Sequence, residues 1–192
     1  MQDLNSLISD LTSGDDTTAE KAALAIQGYG QNAVTKLSKL LDDTNPEIRW
    51  WAVRSLAQIQ TGNATELIIN ALGDDDSNVK QCALVAMRNR PDSTVINLLT
   101  RFLGDVNRML SRLAVDALVS IGKDATHALL EILEDGSYPA RIAAVQALAM
   151  IGDYATVSAL FHQLDSDSNI IAYWANEGLE KMGIGMSFFK PI

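Results

Sequence analysis

The side chains that could do chemistry are two histidines, one cysteine and several short acidic runs. His127 and His162 fall on different predicted helices. Neither has a second histidine one helical turn away or a glutamate directly after it. A metal site on helices needs such paired ligands on one face, because a single imidazole does not complete a coordination shell. The histidines therefore predict no metal centre.

Cys82 is the single cysteine, so the chain cannot form an internal disulfide, and a reducing compartment fits best. It lies beside a predicted apolar stripe and has no histidine near it in the sequence. A nucleophilic cysteine needs a neighbouring base or cation that lowers the pKa of its thiol. We therefore predict a buried, inert thiol in preference to a nucleophile.

Two glycine segments and one acidic run differ from known ligand-binding motifs. Residues 28–30 (Gly-Tyr-Gly) and 183–185 (Gly-Ile-Gly) are predicted helix ends and not strand-to-helix turns, so they predict no phosphate-binding loop. Residues 74–76 are three aspartates without the distal glutamate of a calcium-binding loop. The sequence predicts no catalytic residue and no metal ligand.

The charge balance narrows the possible partners. There are 24 acidic and 15 basic residues, a net charge of −9 and a pI near 4.6, whereas nucleic acids and anionic membranes require clustered basic residues. No window approaches 18 uninterrupted apolar residues, and residues 1–11 lack the basic start and apolar stretch of a signal peptide. We expect a cytoplasmic protein with no membrane span and no nucleic-acid partner.

The elements that position any binding residues repeat along the chain. An apolar residue followed by glycine, or a substitute for that pair, closes six segments every 30 or 31 residues, at 29–30, 59–60, 90–91, 121–122, 151–152 and 182–183. Eight residues before each closing position there is an alanine: Ala22, Ala52, Ala83, Ala114, Ala144 and Ala175. Four residues before it there is a large apolar residue: Ile26, Leu56, Met87, Leu118, Leu148 and Leu179. Such a fixed period is typical of a repeat protein.

Each repeat is predicted to be a pair of helices. A polar turn rich in Asp, Ser and Asn separates the two helices and supplies N-caps for the second one. Pro46 and Pro139 fit a first helical turn, and glycines at four of the closing positions fit C-terminal caps. The predicted repeats cover residues 2–30, 31–60, 61–91, 92–122, 123–152 and 153–183, with a capping tail at 184–192.

The repeated alanine has a physical explanation. It lies at the centre of the apolar stripe of the second helix, where a larger side chain would push neighbouring layers apart. One helix pair of this length cannot bury its stripe alone, but stacked pairs form a continuous core. An ordinary helical bundle has no reason to repeat at this period. The predicted fold is a single all-α domain, a right-handed α-solenoid of about six helix pairs.

Three basic residues, eleven residues before a closing position, follow acidic turns directly: Arg49, Lys80 and Arg141. We predict a ladder of ion pairs between repeats, formed with Asp42 or Asp43, Asp74 and Asp135. An anion-binding site is the alternative interpretation.

Residues 45–59 (Asn-Pro-Glu-Ile-Arg-Trp-Trp-Ala-Val-Arg-Ser-Leu-Ala-Gln-Ile) and 138–152 (Tyr-Pro-Ala-Arg-Ile-Ala-Ala-Val-Gln-Ala-Leu-Ala-Met-Ile-Gly) resemble HEAT-like repeats of the phycobilisome-lyase type. The resemblance covers the chain from Leu4 to Gly183. The first repeat is irregular and predicted to be a cap, and residues 88–91 (Arg-Asn-Arg-Pro) depart from the usual ending of a repeat. Members of the family include bilin lyase subunits, chromophore-detaching factors and scaffolds, so the resemblance implies the fold more specifically than a function.

A binding face is predicted on the second helices, which line the concave side of such solenoids. Projection at 100° per residue places a set of aromatic, apolar and charged side chains opposite the core. The predicted protein-binding residues are Trp50, Arg54, Gln81, Met109, Arg112, Ile142, Tyr173 and Glu177. Exposed aromatic residues near Arg and Met are typical of protein-binding hot spots, whereas packing flat on neighbouring repeats is the alternative. Trp51 and Trp174 are predicted to pack between layers.

The C-terminal tail, residues 183–192, is apolar and ends in a segment that cannot continue a helix. We predict that Phe188 and Phe189 fold back as a lid over the terminal repeat, and a docking peptide for a partner is the alternative.

Two functions remain. The first is a scaffold that holds a partner protein, with no cofactor. The second, implied by the family resemblance, is a subunit or relative of a phycobilin lyase or phycobiliprotein chaperone. It would bind a phycobiliprotein, handle a phycobilin transiently and work with a second HEAT-repeat subunit. A base-lesion enzyme built on HEAT repeats is rejected, because the predicted face is not basic.

Overall fold

The structure, a computed structural model, describes residues 3–184. These residues form α-helices joined by turns and short 3₁₀ segments, with no β-strand within this range. The helices of the first three repeats are α1 (Leu4–Leu11), α2 (Asp16–Ala25), α3 (Gly30–Leu40), α4 (Pro46–Leu56), α5 (Gly62–Ala71) and α6 (Ser77–Arg88). Those of the last three are α7 (Ile96–Thr100), α8 (Arg108–Ile121), α9 (Thr126–Asp135), α10 (Tyr138–Ile151), α11 (Val157–Leu164) and α12 (Asn169–Lys181). The 3₁₀ segments Ile26–Tyr29, Ser93–Val95, Gly122–Ala125 and Tyr154–Thr156 precede α3, α7, α9 and α11.

The chain divides into two compact units, Met1–Met87 and Arg88–Ile192, called unit 1 and unit 2 below. In unit 1, α1 packs on α2 and α3 on α4, while α2 also packs on α4 and α3 on α5. In unit 2, α7 packs on α8, α9 on α10 and α11 on α12, while α8 and α12 both pack on α10. The second helices α2 and α4 of unit 1, and α8, α10 and α12 of unit 2, therefore contact second helices of adjacent repeats.

The repeated alanines are buried, as predicted. Ala22 is 2% exposed, and the other five, Ala52, Ala83, Ala114, Ala144 and Ala175, are 0% exposed. The structure adds a second small position, five residues before each closing residue, which the sequence analysis missed. From the second repeat onward its occupants are buried: Ser55, Ala86, Ala117, Ala147 and Gly178. Two small residues three positions apart lie on one helix face and let adjacent helices approach closely.

The polar turns cap five of the six second helices as the sequence predicts, and α10 is the exception. Side-chain oxygens accept backbone amides at the helix starts; these residues are Asp15, Asn45, Asp76, Asn107 and Ser168. Gly152, with φ of 68°, ends α10 in the left-handed region that L-residues avoid, and its amide donates to the Leu148 carbonyl at 3.0 Å. Two predicted caps are wrong: the Ser137 side chain makes no capping hydrogen bond to α10, and α2 already ends at Ala25, so that Gly30 begins α3 instead of ending α2.

One rung of the predicted ladder forms between repeats. Arg49 on α4 donates from Nε and Nη2 to the two carboxylate oxygens of Asp74, each at 2.7 Å. Its Nη1 also donates to the Asp43 carbonyl at 2.9 Å. Arg141 instead donates from Nε to the Leu133 carbonyl at 3.1 Å, at the end of the preceding helix. Arg49 and Arg141 thus both bind the backbone at a helix end, and of the two only Arg49 also binds a carboxylate. The rungs predicted for Lys80 and Arg141 with carboxylates do not form among residues 3–184.

Acidification should weaken unit 1 through Asp74. Its hydrogen bond from Arg49, opposed by burial and assisted by the Asp76 amide, lowers the pKa of the Asp74 carboxyl from 3.8. Because the folded-state pKa is depressed, this stabilisation is fully present above the unfolded-state value and is lost as pH falls below about 4. We expect Asp74→Asn to remove this part of the acid sensitivity, measured as the unfolding free energy in urea from about pH 5 to pH 2. Asp75→Asn, an equal charge change at an exposed neighbour, should leave the acid sensitivity unchanged, and an equal effect of both variants would contradict the assignment.

Candidate functional site

The chemically reactive side chains lie apart from one another. Cys82 is 9% exposed on α6, and burial raises the pKa of its thiol to about 12, so the thiolate nucleophile is not populated near neutral pH. His127 on α9 and His162 on α11 are exposed, and the His127 Nδ1 lies 3.5 Å from a Glu131 carboxylate oxygen. Within residues 3–184, no three His, Cys, Asp or Glu side chains are grouped so that they could hold a metal ion.

The predicted binding residues all lie on second helices, with different degrees of exposure. Met109, Arg112, Tyr173 and Glu177 are exposed, with Met109 at 48% and Tyr173 at 56%, while Trp50, Arg54, Gln81 and Ile142 are half-buried. The exposure of a side chain permits binding but does not test it, so the assignment as protein-binding residues stays a prediction.

Unit 1 has a groove of about 610 Å³ beside α4, called the Trp50 groove. Its lining is aromatic and acidic: Asp16, Glu20, Pro46, Glu47, Trp50, Trp51, Asp76 and Asn78. The two tryptophan rings meet edge to face with centroids 4.7 Å apart, and Trp51 is buried as predicted. Arg54 forms an ion pair with Glu20 of α2, so its charge is already neutralised within the unit. Of the two tryptophans, Trp50 therefore supplies the accessible aromatic surface of this groove.

Unit 2 has a groove of about 670 Å³ between α8 and α10, called the α8–α10 groove. It brings together two of the predicted residues, Arg112 and Ile142, with the half-exposed Ile170 of α12. The full lining is Gly104, Asp105, Val106, Arg108, Ser111, Arg112, Val115, Tyr138, Pro139, Ile142, Ala143, Gln146 and Ile170. This groove combines apolar side chains with two arginines.

The remaining predicted residues lie outside these two grooves. Glu177 lines a smaller groove of about 380 Å³ beside the half-buried Trp174. The Tyr173 and Trp174 rings are in edge contact with centroids 5.4 Å apart, which leaves the Tyr173 ring largely exposed. Gln81 and Met109 line none of the grooves described here.

Three lining residues of the α8–α10 groove with large side chains, Val106, Arg108 and Tyr138, are absent from the predicted binding face. Val106 is 100% exposed in the turn before α8, Tyr138 is 53% exposed at the start of α10, and Arg108 begins α8. A signal existed for one of them, because Arg108 precedes Arg112 by four residues, which is one helical turn.

Two predictions fall partly or wholly outside the described residues. The tail prediction for Phe188 and Phe189 lies beyond residue 184. For membrane crossing, none of the helices within residues 3–184 is long and apolar enough to span a bilayer.

The comparisons with known proteins match this architecture. Residues 4–67 match the family of HEAT repeats. A relative with 28% identity over 134 residues is the uncharacterized phycocyanin operon protein Z of Pseudanabaena tenuis (strain PCC 7409). That match covers 65% of this chain and 66% of the relative, so the chain aligns with just under two thirds of the relative's length.

Three solved structures show the same fold. The archaeal HEAT-like repeats protein from Thermococcus onnurineus NA1 has a TM-score of 0.65 at 16% identity, over 95% of this chain and 81% of the other. The CpcE and CpcF complex of phycocyanin lyase from Nostoc sp. PCC7120 has a TM-score of 0.54 at 22% identity, over 95% of this chain and 78% of the other. A designed armadillo repeat protein in complex with the peptide (KR)4 has a TM-score of 0.55 at 20% identity, over 94% and 100%.

Paired helices, buried alanines at a fixed period and these matches agree on one architecture. The predicted all-α solenoid class is confirmed, and so is the resemblance to the repeats of phycobilisome lyases. Residues 4–67 are thus similar to HEAT repeats, and the described chain has the fold of a helical repeat solenoid.

Proposed function

We propose that this protein is a scaffold that holds a partner protein on the accessible side of the second helices within each unit, here called the second-helix face. The observation that carries the proposal is the set of apolar side chains left accessible on helices whose opposite side is fully buried. Met109, Ile170 and Tyr173 are 48%, 50% and 56% exposed. Accessible aromatic and apolar side chains beside arginine are the composition of interface hot spots.

The reactive groups support binding in preference to catalysis. An enzyme active site needs convergent titratable groups, and the histidines lie on α9 and α11 while the Cys82 thiol is buried on α6. The buried free thiol also supports the proposed cytoplasmic location, where cysteines stay reduced. The scaffold itself requires no cofactor.

Replacing Tyr173 with alanine should weaken partner capture about tenfold or more, because an exposed aromatic anchor of a hot spot is removed. The melting temperature should stay within about 4 °C, since the ring is largely exposed. Trp50→Ala should also weaken capture, but with a larger loss of stability, because Trp50 packs edge to face on Trp51. The measurement is affinity capture from the native organism with quantitative mass spectrometry, beside thermal unfolding.

Phe161→Ala is the matched control for this experiment. Phe161 is 41% exposed but lies on α11, a first helix, so its removal takes away a similar aromatic surface from outside the second-helix face. Capture that is insensitive to Tyr173→Ala and Trp50→Ala, or equally sensitive to Phe161→Ala, would remove the support for this face.

The second candidate function is that of a subunit or relative of a phycobilin lyase, or a phycobiliprotein chaperone. It is supported by the similarity to phycocyanin operon protein Z and by the shared fold with the CpcE and CpcF complex. The partners would then be a phycobiliprotein and a second HEAT-repeat subunit, with a phycobilin handled transiently. Co-expression with a phycobiliprotein subunit, a bilin and each candidate second subunit tests this. A coloured phycobiliprotein with covalently attached bilin supports the lyase function. A colourless product in every combination contradicts it and leaves the scaffold as the proposed function.

A further inference from the structure

The α8–α10 groove has apolar lining residues from three different elements. Val106 comes from the turn before α8, Tyr138 and Ile142 from the first turns of α10, and Ile170 from the start of α12. Val106 is fully exposed, and Tyr138 and Ile170 are about half exposed. Apolar surface that converges on one groove gains free energy when an apolar ligand covers it.

The groove is also lined by two arginines without a side-chain partner among residues 3–184. Arg108 and Arg112 are exposed on α8, one helical turn apart, and neither has an ion pair or side-chain hydrogen bond among residues 3–184. Asp116, at the i+4 position from Arg112, lies instead 3.9 Å from Arg88. The Asp105 carboxylate, which also lines the groove, accepts the Asn107 amide at 2.7 Å.

The unpaired arginines matter because the protein around them is acidic. With 24 acidic and 15 basic residues, most of the surface repels a negatively charged ligand. An acidic ligand is therefore directed to the place where two guanidinium groups are free. Two arginines are too few for nucleic acid, whose affinity depends on many phosphate contacts.

From these observations, and resting on the proposed scaffold function, we infer that the α8–α10 groove binds an acidic, amphipathic helical segment of the partner protein. Its apolar stripe covers Val106, Ile142 and Ile170, and its carboxylates meet Arg108 and Arg112. The spacing fits, because side chains four residues apart on either helix are separated by about 6 Å. Guanidinium groups bind carboxylates with two parallel hydrogen bonds, which adds orientation to attraction.

The test uses a synthetic probe. A fluorescein-labelled peptide of about 18 residues carries leucines at helical i, i+3, i+4 and i+7 positions and glutamates on both flanks of that stripe. Fluorescence anisotropy measures its affinity for the full-length protein. We expect saturable binding that weakens as salt is added, because exposed ion pairs are screened. A scrambled peptide of the same composition should bind about tenfold more weakly, since it lacks the apolar stripe.

The decisive variant is the double charge reversal Arg108→Glu with Arg112→Glu. It should lower the affinity for the glutamate probe about tenfold or more. It should raise the affinity for the matching peptide that has lysine in place of glutamate. Arg101→Glu with Lys123→Glu makes the same change in net charge at exposed positions outside the groove, and it should change the affinity by about twofold at most. Both proteins should retain the wild-type melting temperature.

Other outcomes overturn the inference. No saturable binding of the glutamate probe, an equal response to both double reversals, or equal affinity for the scrambled peptide each contradicts it. Capture of the native partner distinguishes a failure of this inference from a failure of the scaffold proposal. Capture lost in Tyr173→Ala but unchanged in the groove reversal leaves the scaffold and rejects the acidic segment. Capture unchanged in both rejects the proposed face as a whole.

Discussion

Replacing Gly178 with leucine should destabilise unit 2 by about 3 kcal/mol or more, which is enough to abolish cooperative folding in a marginally stable protein. Gly178 lies inside α12, where α12 crosses α10. A Cβ atom there would stand 2.9 Å from the Ala149 Cα, 3.0 Å from the Ala149 Cβ and 3.0 Å from the Leu160 Cδ1. The nearest of these atoms is backbone, so the two helices must move apart, and no side-chain rotation removes the clash.

Gly178→Ala isolates this clash from helix propensity. Alanine favours an α-helix over glycine by about 1 kcal/mol, so propensity alone predicts a gain in stability. We expect a net loss of about 1–2 kcal/mol in the free energy of unfolding instead, because the added methyl group would lie closer to the Ala149 backbone than van der Waals contact allows. The measurement is the free energy of unfolding in urea, with the melting temperature as a second probe.

Gly62→Ala is the matched control, because Gly62 begins α5 and a Cβ atom there has no neighbour within 4 Å. This substitution should leave stability unchanged or raise it by up to about 1 kcal/mol. A stabilising effect of both alanine substitutions would contradict the close approach of α10 and α12. Gly178→Leu that folds as well as the wild type would contradict it more strongly.

The repeat period could be predicted from the sequence because one position accepts a single residue type. The alanine eight residues before each closing residue recurs six times, and all six are buried. The second small position was missed because it accepts alanine, serine or glycine, as at Ala147, Ser55 and Gly178. Its constraint is on size and not on chemistry. The Ser55 hydroxyl fits since it donates to the Trp51 carbonyl at 2.7 Å.

The binding face could be predicted only in part, for a geometric reason. Projecting a single helix finds side chains that point away from that helix's own core, such as Arg112 and Tyr173. It does not show where a turn from the same unit adds a side chain, so Val106 was missed. It also does not show how far other side chains cover a residue, so Trp50, which the projection places opposite the core, is half-buried beside the Trp51 ring.

The predicted ladder of ion pairs also formed only in part, and the reason is again local geometry. Arg49 and Arg141 occupy equivalent positions, yet one binds Asp74 and the other the Leu133 carbonyl. Both arginine side chains reach back to the end of the preceding helix. Which oxygen each side chain meets there depends on the local turn, whose conformation the period of the sequence does not encode.

Replacing Ala144 with leucine should be the most damaging change at the repeated alanine in unit 2, with a loss of about 3 kcal/mol. Ala144 is 0% exposed on α10, which packs against α8, α9 and α12. A leucine side chain therefore has helices around it and no solvent-facing direction, and overpacking of this kind typically costs about 1–3 kcal/mol or more. For a chain of this size, we expect the melting temperature to fall by about 10 °C.

Ala144→Ser and Ala25→Leu separate size from other causes. Serine adds one atom, and its hydroxyl can donate to the carbonyl four residues earlier, as Ser55 does, so we expect a loss of only about 1 kcal/mol. Ala25 is exposed at the end of α2, so leucine there should change the unfolding free energy by less than about 0.5 kcal/mol. The expected order of stability is wild type, then serine, then leucine at residue 144. Leucine tolerated as well as serine at that position would mean that the layers do not depend on a methyl-sized contact, and the packing of the second helices would then need another explanation.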